Sequence, residues 1–167
     1  MPENDDLNRN QLSQSLEDYL EAIALIIAEK KSVRAKDISK RLNVSRASVT
    51  EAFRALSKKG LINYAPYELI TLTKEGEALA ADVIHRHKAL KDFFINILAV
   101  EENIADKGAC RIEHTAPRQI IDRMIEFVRF IEVCPRGGAE LIEKFNEFCR
   151  EGKTKDECES CIAKLNK

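Results

Sequence analysis

The stretch Arg41–Gly60, RLNVSRASVTEAFRALSKKG, decides the fold. Asn43 tolerates the left-handed region, and Ser45 is a natural N-cap, so NVS reads as a turn between two helices. After Ser45, the residues Ala47, Val49, Phe53 and Leu56 offer a packing face. Gly60 closes that helix as the residue just past its end. A helix, a three-residue turn and a second helix with a defined stop form the heart of a helix-turn-helix.

Working outward strengthens this reading. Upstream, Arg34 to Leu42 is a short helix with Ile38 and Leu42 facing inward. Before it, Ser15 to Glu29 places Leu16, Tyr19, Leu20, Ile23, Ile26 and Ile27 on one helical stripe. Downstream the period changes. LINYAPYELITLT alternates and is rich in Leu, Ile, Tyr and Thr, which predicts a β-hairpin of Leu61–Tyr64 and Glu68–Leu72 around Ala65-Pro66. Helix, helix, turn, helix and hairpin over Ser15–Thr73 is the order of a winged helix-turn-helix.

Charge agrees with a nucleic-acid partner. The chain of 167 residues has a formal net charge of −1. Yet Lys30–Lys59 holds ten basic residues against two acidic ones, Asp37 and Glu51. A basic segment on a near-neutral protein points to a local anionic partner such as double-stranded DNA. Recognition helices enter the major groove by their N-terminal residues, while flanking cations neutralise phosphates. Ser45, Arg46, Ala47, Ser48 and Thr50 open this helix, and Arg46 is the best candidate for a guanine contact. Arg34, Lys36 and Arg54 complete the candidate DNA-binding set, Arg54 with Lys58 and Lys59 on the backbone side. The competing readings are a solvated lysine face, or a winged helix used for protein contacts.

Beyond the hairpin the pattern is helical. Thr73 caps a long helix from about Lys74 to Ala99, with Leu79, Val83, Leu90, Phe94 and Ile97 apolar. Glu101–Glu113 forms a shorter helix. Pro117 starts another that runs to Val133. A break at Cys134–Gly138 precedes two short helices, Ala139–Arg150 and Thr154–Leu165.

Ala109–His114, ACRIEH, carries chemistry. Cys110 lies three residues before Glu113 and four before His114, spacings that share one helical face. Thiolate, carboxylate and imidazole together suit a first-row divalent ion. Asp18 and Glu21 form a second acidic pair, three apart on the first helix. His85 and His87 project in different directions, and His87 lies on the side of the packing stripe. Each signal alone is commonplace on a helix surface. Their convergence on separate helices favours a metal site.

SLEDYLEAI, RLNVSRASVT, LTKEGEALA, RHKAL and ACRIEH occur in this order from Ser15 to Val133. In this they resemble the diphtheria toxin repressor family, which includes the manganese transport regulators. The resemblance implies a mainly α fold, with an N-terminal winged helix-turn-helix and small β-hairpin wing followed by an all-α dimerisation domain. It implies a homodimeric, metal-dependent repressor of transcription that binds an operator and controls metal homeostasis. It also implies metal ligands at Asp18, Glu21, His87, Cys110, Glu113 and His114. Asp18 and Glu21 match the manganese branch and Cys110 the iron branch, so Fe²⁺ and Mn²⁺ both remain open. Lys91 stands where iron-type members carry an ancillary-site glutamate. The domains expected are 1–73 for DNA binding, 74–133 for metal binding and dimerisation, and 134–167 as a Cys-containing helical extension.

Cys134, Cys149, Cys158 and Cys161 lie beyond the resemblance. A CxxC pair with two further thiols is enough for tetrahedral Zn²⁺ or an iron–sulfur cluster. They equally fit small buried residues and an exposed terminal helix. An alternative function follows from them: a metal-storage protein, or a thiol redox or iron–sulfur sensor, with the winged helix as scaffold. Nothing pairs a nucleophile with a base, so an enzyme is not expected. The N-terminus is polar and acidic with no apolar signal core, and no run reaches spanning length, so a cytoplasmic protein without a membrane partner is expected.

Overall fold

A computed structural model describes residues 12–30, 32–65, 69–134 and 138–151. The chain divides into two compact units, with the boundary between Arg86 and His87. Among the described residues no helix is long and apolar enough to cross a membrane.

The first unit contains α1 (Gln14–Lys30), α2 (Ala35–Leu42), α3 (Arg46–Lys58), β1 (Ile62–Asn63), β2 (Thr71–Leu72) and the start of α4 (Lys74–Asn96). The α1 stripe is buried as expected, through Tyr19, Leu20, Ile23 and Ile26. It packs with Val33, Ile38, Val49, Phe53 and Leu56 in one apolar core. Phe53 and Tyr64 meet edge to face, with centroids 5.4 Å apart. The turn between α2 and α3 has the chemistry its residues dictate. Asn43 takes the left-handed conformation at φ 54°. The Ser39 hydroxyl donates to the Val44 carbonyl at 2.6 Å. Ser45 caps α3 by accepting from the Ser48 N–H at 3.1 Å.

The hairpin is shorter than the alternation suggests. Among the described residues, Ile62↔Leu72 and Asn63↔Thr71 pair as an antiparallel ladder. Residue Ile70 instead bridges to Val33, so the second strand has a partner outside the hairpin. The turn residues 66–68 lie outside the described residues.

A knot of hydrogen bonds joins the hairpin to α4. The Thr73 hydroxyl donates to the Gly60 carbonyl at 2.7 Å and accepts from the Gly76 N–H at 3.1 Å. The Thr73 N–H reaches the Leu61 carbonyl at 3.0 Å. Gly60 has φ 72°, which a side chain resists. Further along α4, Arg86 pairs with Asp82 at 3.3 Å and with Glu17 of α1 at 3.5 Å.

The second unit contains the rest of α4, α5 (Glu102–Ile112), α6 (Arg118–Val133) and α7 (Gly138–Glu151). Pro117 is the N-cap of α6 rather than its first helical residue. The core is small: Leu90, Ala109 and Ile121, with Phe94, Met124 and Ile125 packed against them. α5 meets α4 through the buried Ala109, and a Cβ on Gly108 would meet the Phe94 ring at an ordinary van der Waals distance of 3.4 Å. Many large apolar side chains stay exposed, among them Ile104, Ile120, Phe127, Phe130, Leu141 and Phe148. The segment expected as a last helix, Thr154–Leu165, lies outside the described residues.

A Cβ at Gly76 would lie 1.9 Å from the Leu61 carbonyl oxygen. Alanine has the higher helix propensity, by about 1 kcal/mol. Backbone overlap outweighs that gain, so Gly76→Ala lowers the thermal midpoint of unfolding. A midpoint at or above that of the native chain would show that the Thr73 knot yields freely.

Candidate functional site

The candidate metal centre is built where α4 and α5 meet within the second unit. His87 opens the unit on α4. Glu113 caps α5, its N–H donating to the Ala109 carbonyl at 2.9 Å. This turn swings the Glu113 side chain inward, where it is fully buried. Its Oε2 lies 2.7 Å from His87 Nδ1, and its Oε1 lies 3.2 Å from His114 Nε2. The His114 side chain is itself almost fully buried, with 1% exposure. A carboxylate removed from water requires donors or cations on its oxygens. Here an imidazole stands at each.

The reverse side of His87 is occupied as well. Its Nε2 lies 3.3 Å from Asp106 Oδ1. Lys91 Nζ lies 3.1 Å from the same Asp106 oxygen and 3.0 Å from Glu102 Oε1. The hydrogen bonds to Lys91 first, then to His87, hold the Asp106 carboxyl below the usual carboxylate range. Glu102 first and then Asp106 hold the Lys91 ammonium above the usual lysine range. The sequence reading missed Asp106. A signal existed: Glu102, Asp106 and Cys110 recur at four-residue spacing on α5, as His87 and Lys91 do on α4.

Of the six sequence-derived ligands, the structure brings His87, Glu113 and His114 together. Cys110 is exposed, one turn before Glu113. Asp18 and Glu21 belong to the first unit and are half-buried on α1. The Tyr19 hydroxyl is pushed up by burial first, then by the Asp18 and Glu51 carboxylates, so the Asp18 charge is felt locally. His85 is exposed, in contrast to His87. Among the described residues no group of three or more His, Cys, Asp and Glu side chains is arranged as a ready-made ion cage. The donor types nevertheless fit a first-row divalent ion: two imidazoles flank one buried carboxylate, His87 at hydrogen-bonding distance and His114 in a 3.2 Å ion-pair contact.

The candidate nucleic-acid interface lies on α2 and α3. Arg46, Ala47 and Ser48 are exposed at the start of α3. Ser45 and Ser48 hydroxyls lie 2.9 Å apart, so the cap also holds Ser48 in place. Thr50 is half-buried, and its hydroxyl donates back to the Arg46 carbonyl at 3.0 Å. Arg34, Lys36 and Arg54 are exposed. Among the described basic residues of this region, Lys30 pairs with Asp37 at 3.3 Å and Arg41 with Glu29 at 2.9 Å.

Of the remaining thiols, Cys134 and Cys149 line one cavity of about 1030 Å³ between the ends of α6 and α7. Cys158 and Cys161 lie outside the described residues.

Comparison with known proteins places both halves. Residues 11–69 match the iron dependent repressor N-terminal DNA binding domain, and residues 73–142 match the iron dependent repressor metal binding and dimerisation domain. An uncharacterized HTH-type transcriptional regulator of Methanocaldococcus jannaschii is 36% identical over 118 residues, covering 70% of this chain and 94% of its own length. The HTH-type transcriptional regulator MntR of Lysinibacillus sphaericus is 36% identical over 121 residues, covering 72% and 86%. A manganese-dependent transcriptional repressor solved in complex with manganese superposes with a TM-score of 0.62 at 26% identity. That match covers 69% of this chain and 53% of the other, so this chain spans about half the length of that repressor. The chain belongs to the diphtheria toxin repressor and manganese transport regulator family of metal-dependent, DNA-binding transcriptional regulators.

Proposed function

We propose that this protein is a repressor switched by Fe²⁺ or Mn²⁺, with His87, Glu113 and His114 at the heart of its metal centre. The observation that carries this reading is the fully buried Glu113 carboxylate with an imidazole at each oxygen. Imidazole and carboxylate donors suit both ions. Asp18, Glu21 and Cys110 are the further ligands in this proposal, taken from the sequence resemblance. Hard oxygen at Asp18 favours Mn²⁺ and soft sulfur at Cys110 favours Fe²⁺.

The regulation follows from linkage. An ion that binds the DNA-competent state better raises operator affinity, and operator DNA raises affinity for the ion by the same factor. Two copies act together. The exposed apolar side chains of α6, such as Ile120 and Phe127, support a homodimer, because patches of this kind mark association surfaces. Arg46 and Ser48 are proposed to meet base edges, with Arg34, Lys36 and Arg54 on phosphates. Control of metal homeostasis is the corresponding cellular role.

The test uses the full chain and a duplex selected from random-sequence DNA in the presence of Mn²⁺. Mn²⁺ is expected to tighten binding of the native protein tenfold or more, and to leave Glu113→Ala unchanged. Equal duplex affinity with and without Mn²⁺, and equal again with Fe²⁺ under anaerobic conditions, would remove the proposed switch. Arg46→Ala is expected to lower affinity by about 1–3 kcal/mol and to relax preference at one base position. A loss that is uniform across all sequences would assign Arg46 to the phosphate backbone.

We propose further that Cys134, Cys149, Cys158 and Cys161 hold a soft metal, with Zn²⁺ ahead of an iron–sulfur cluster. The sequence supports this, with a CxxC pair and two further thiols, enough for a tetrahedral site. Anaerobically purified protein is expected to retain one Zn²⁺ per protomer and to lack visible absorbance bands. Iron with such bands would replace zinc by a cluster, and absence of both metals would refute the site.

A further inference from the structure

We propose that Lys91 is a tethered cation that fills the place a second metal ion would take beside His87, so that each protomer holds one divalent ion at the Glu113 side of the imidazole. The proposal rests on the metal centre described above and concerns its stoichiometry.

His87 presents two ring nitrogens to two carboxylates on opposite sides. Nδ1 faces Glu113 at 2.7 Å and Nε2 faces Asp106 at 3.3 Å. The Glu113 side is buried. The Asp106 side opens into a cavity of about 320 Å³ lined by Lys91, Glu101, Glu102, Asn103 and Asp106. The carboxylates around this space, with the His87 imidazole beyond Asp106, are the donor types that a hard divalent ion takes.

Lys91 alters this. Its ammonium lies 3.0 Å from Glu102 and 3.1 Å from Asp106, bridging the two acids one helical turn apart on α5. The spacing is built in. His87 and Lys91 are four apart on α4, and Glu102 and Asp106 are four apart on α5, so two rungs of one helix face two rungs of the other. A lysine ammonium is a compact point charge on a flexible stem, able to contact a pair of carboxylates at once without imposing a fixed geometry. A divalent ion entering the cleft would have to break both contacts. It would also stand within a few ångström of a retained positive charge, and that repulsion is poorly screened at short range. The chain itself therefore already supplies a cation to this cleft.

Mn²⁺ alone is the probe, because thiolates bind this hard ion poorly and the cysteines do not confuse the count. Free Mn²⁺ is measured by electron paramagnetic resonance during titration of the full-length protein. The native chain and Lys91→Arg are expected to take one ion per protomer. Lys91→Glu replaces the cation by a further oxygen donor and is expected to take two, the second broadening the spectrum by coupling to the first. Should Lys91→Glu fail to fold, Lys91→Met removes the charge alone and is expected to admit a second, weaker ion. Two ions in the native protein overturn the proposal, as does a folded Lys91→Glu and Lys91→Met pair that each stop at one. No ion in the native protein overturns the Glu113 centre itself, a result distinguishable from either.

Discussion

A carboxylate with no solvent exposure must be answered by the groups around it, and Glu113 is such a carboxylate. Its position follows from the end of α5. The helix stops at Ile112, and the Glu113 N–H still closes a turn onto Ala109. That leaves the side chain directed into the unit rather than along its surface. His87 from α4 and His114 from the next residue supply the answering nitrogens. Ala109 packs with Leu90 and Phe94 in the small core of this unit, which sets α5 beside α4.

The DNA-binding unit solves a different problem. It must expose a helix N-terminus while keeping that helix rigid. The Ser45 cap, the left-handed Asn43 and the Ser39–Val44 contact fix the entry to α3 through local hydrogen bonds. Val49, Phe53 and Leu56 anchor its opposite face in the core. Arg46 and Ser48 are thus exposed on a helix whose opposite face is buried in the core.

Much of this was legible in the residues, and the exceptions have physical causes. Caps, turns and helix stops were readable because each is settled within a few positions: Ser45, Asn43, Gly60 and Thr73 do what their side chains permit. His87 was separable from His85 by its place on the packing stripe. The hairpin was overestimated because alternation measures burial, whereas ladder length depends on which partner a strand finds. Ile70 finds Val33, thirty-seven positions away, and no local pattern reports that. Cys110 shares a helical register with Glu113 and His114. The structure adds their exposure: the thiol is exposed and the Glu113 carboxylate is buried. Asp106 escaped notice because its role exists only once α4 lies against α5.

The two sides of His87 show how one imidazole can divide a cluster of acids into distinct electrostatic problems. On one side the acid is buried and its neighbours are neutral-capable nitrogens, a combination that leaves room for an external cation. On the other side the acids are exposed and a lysine is already present. Exposure matters here. Asp106 and Glu102 remain in water, where a flexible ammonium compensates charge at little cost in desolvation. Glu113 has no such option, because carrying a lysine head into its site would require stripping that head of water. The chain therefore places its own cation where solvent makes one inexpensive. It leaves the His87 and His114 imidazoles beside the buried acid.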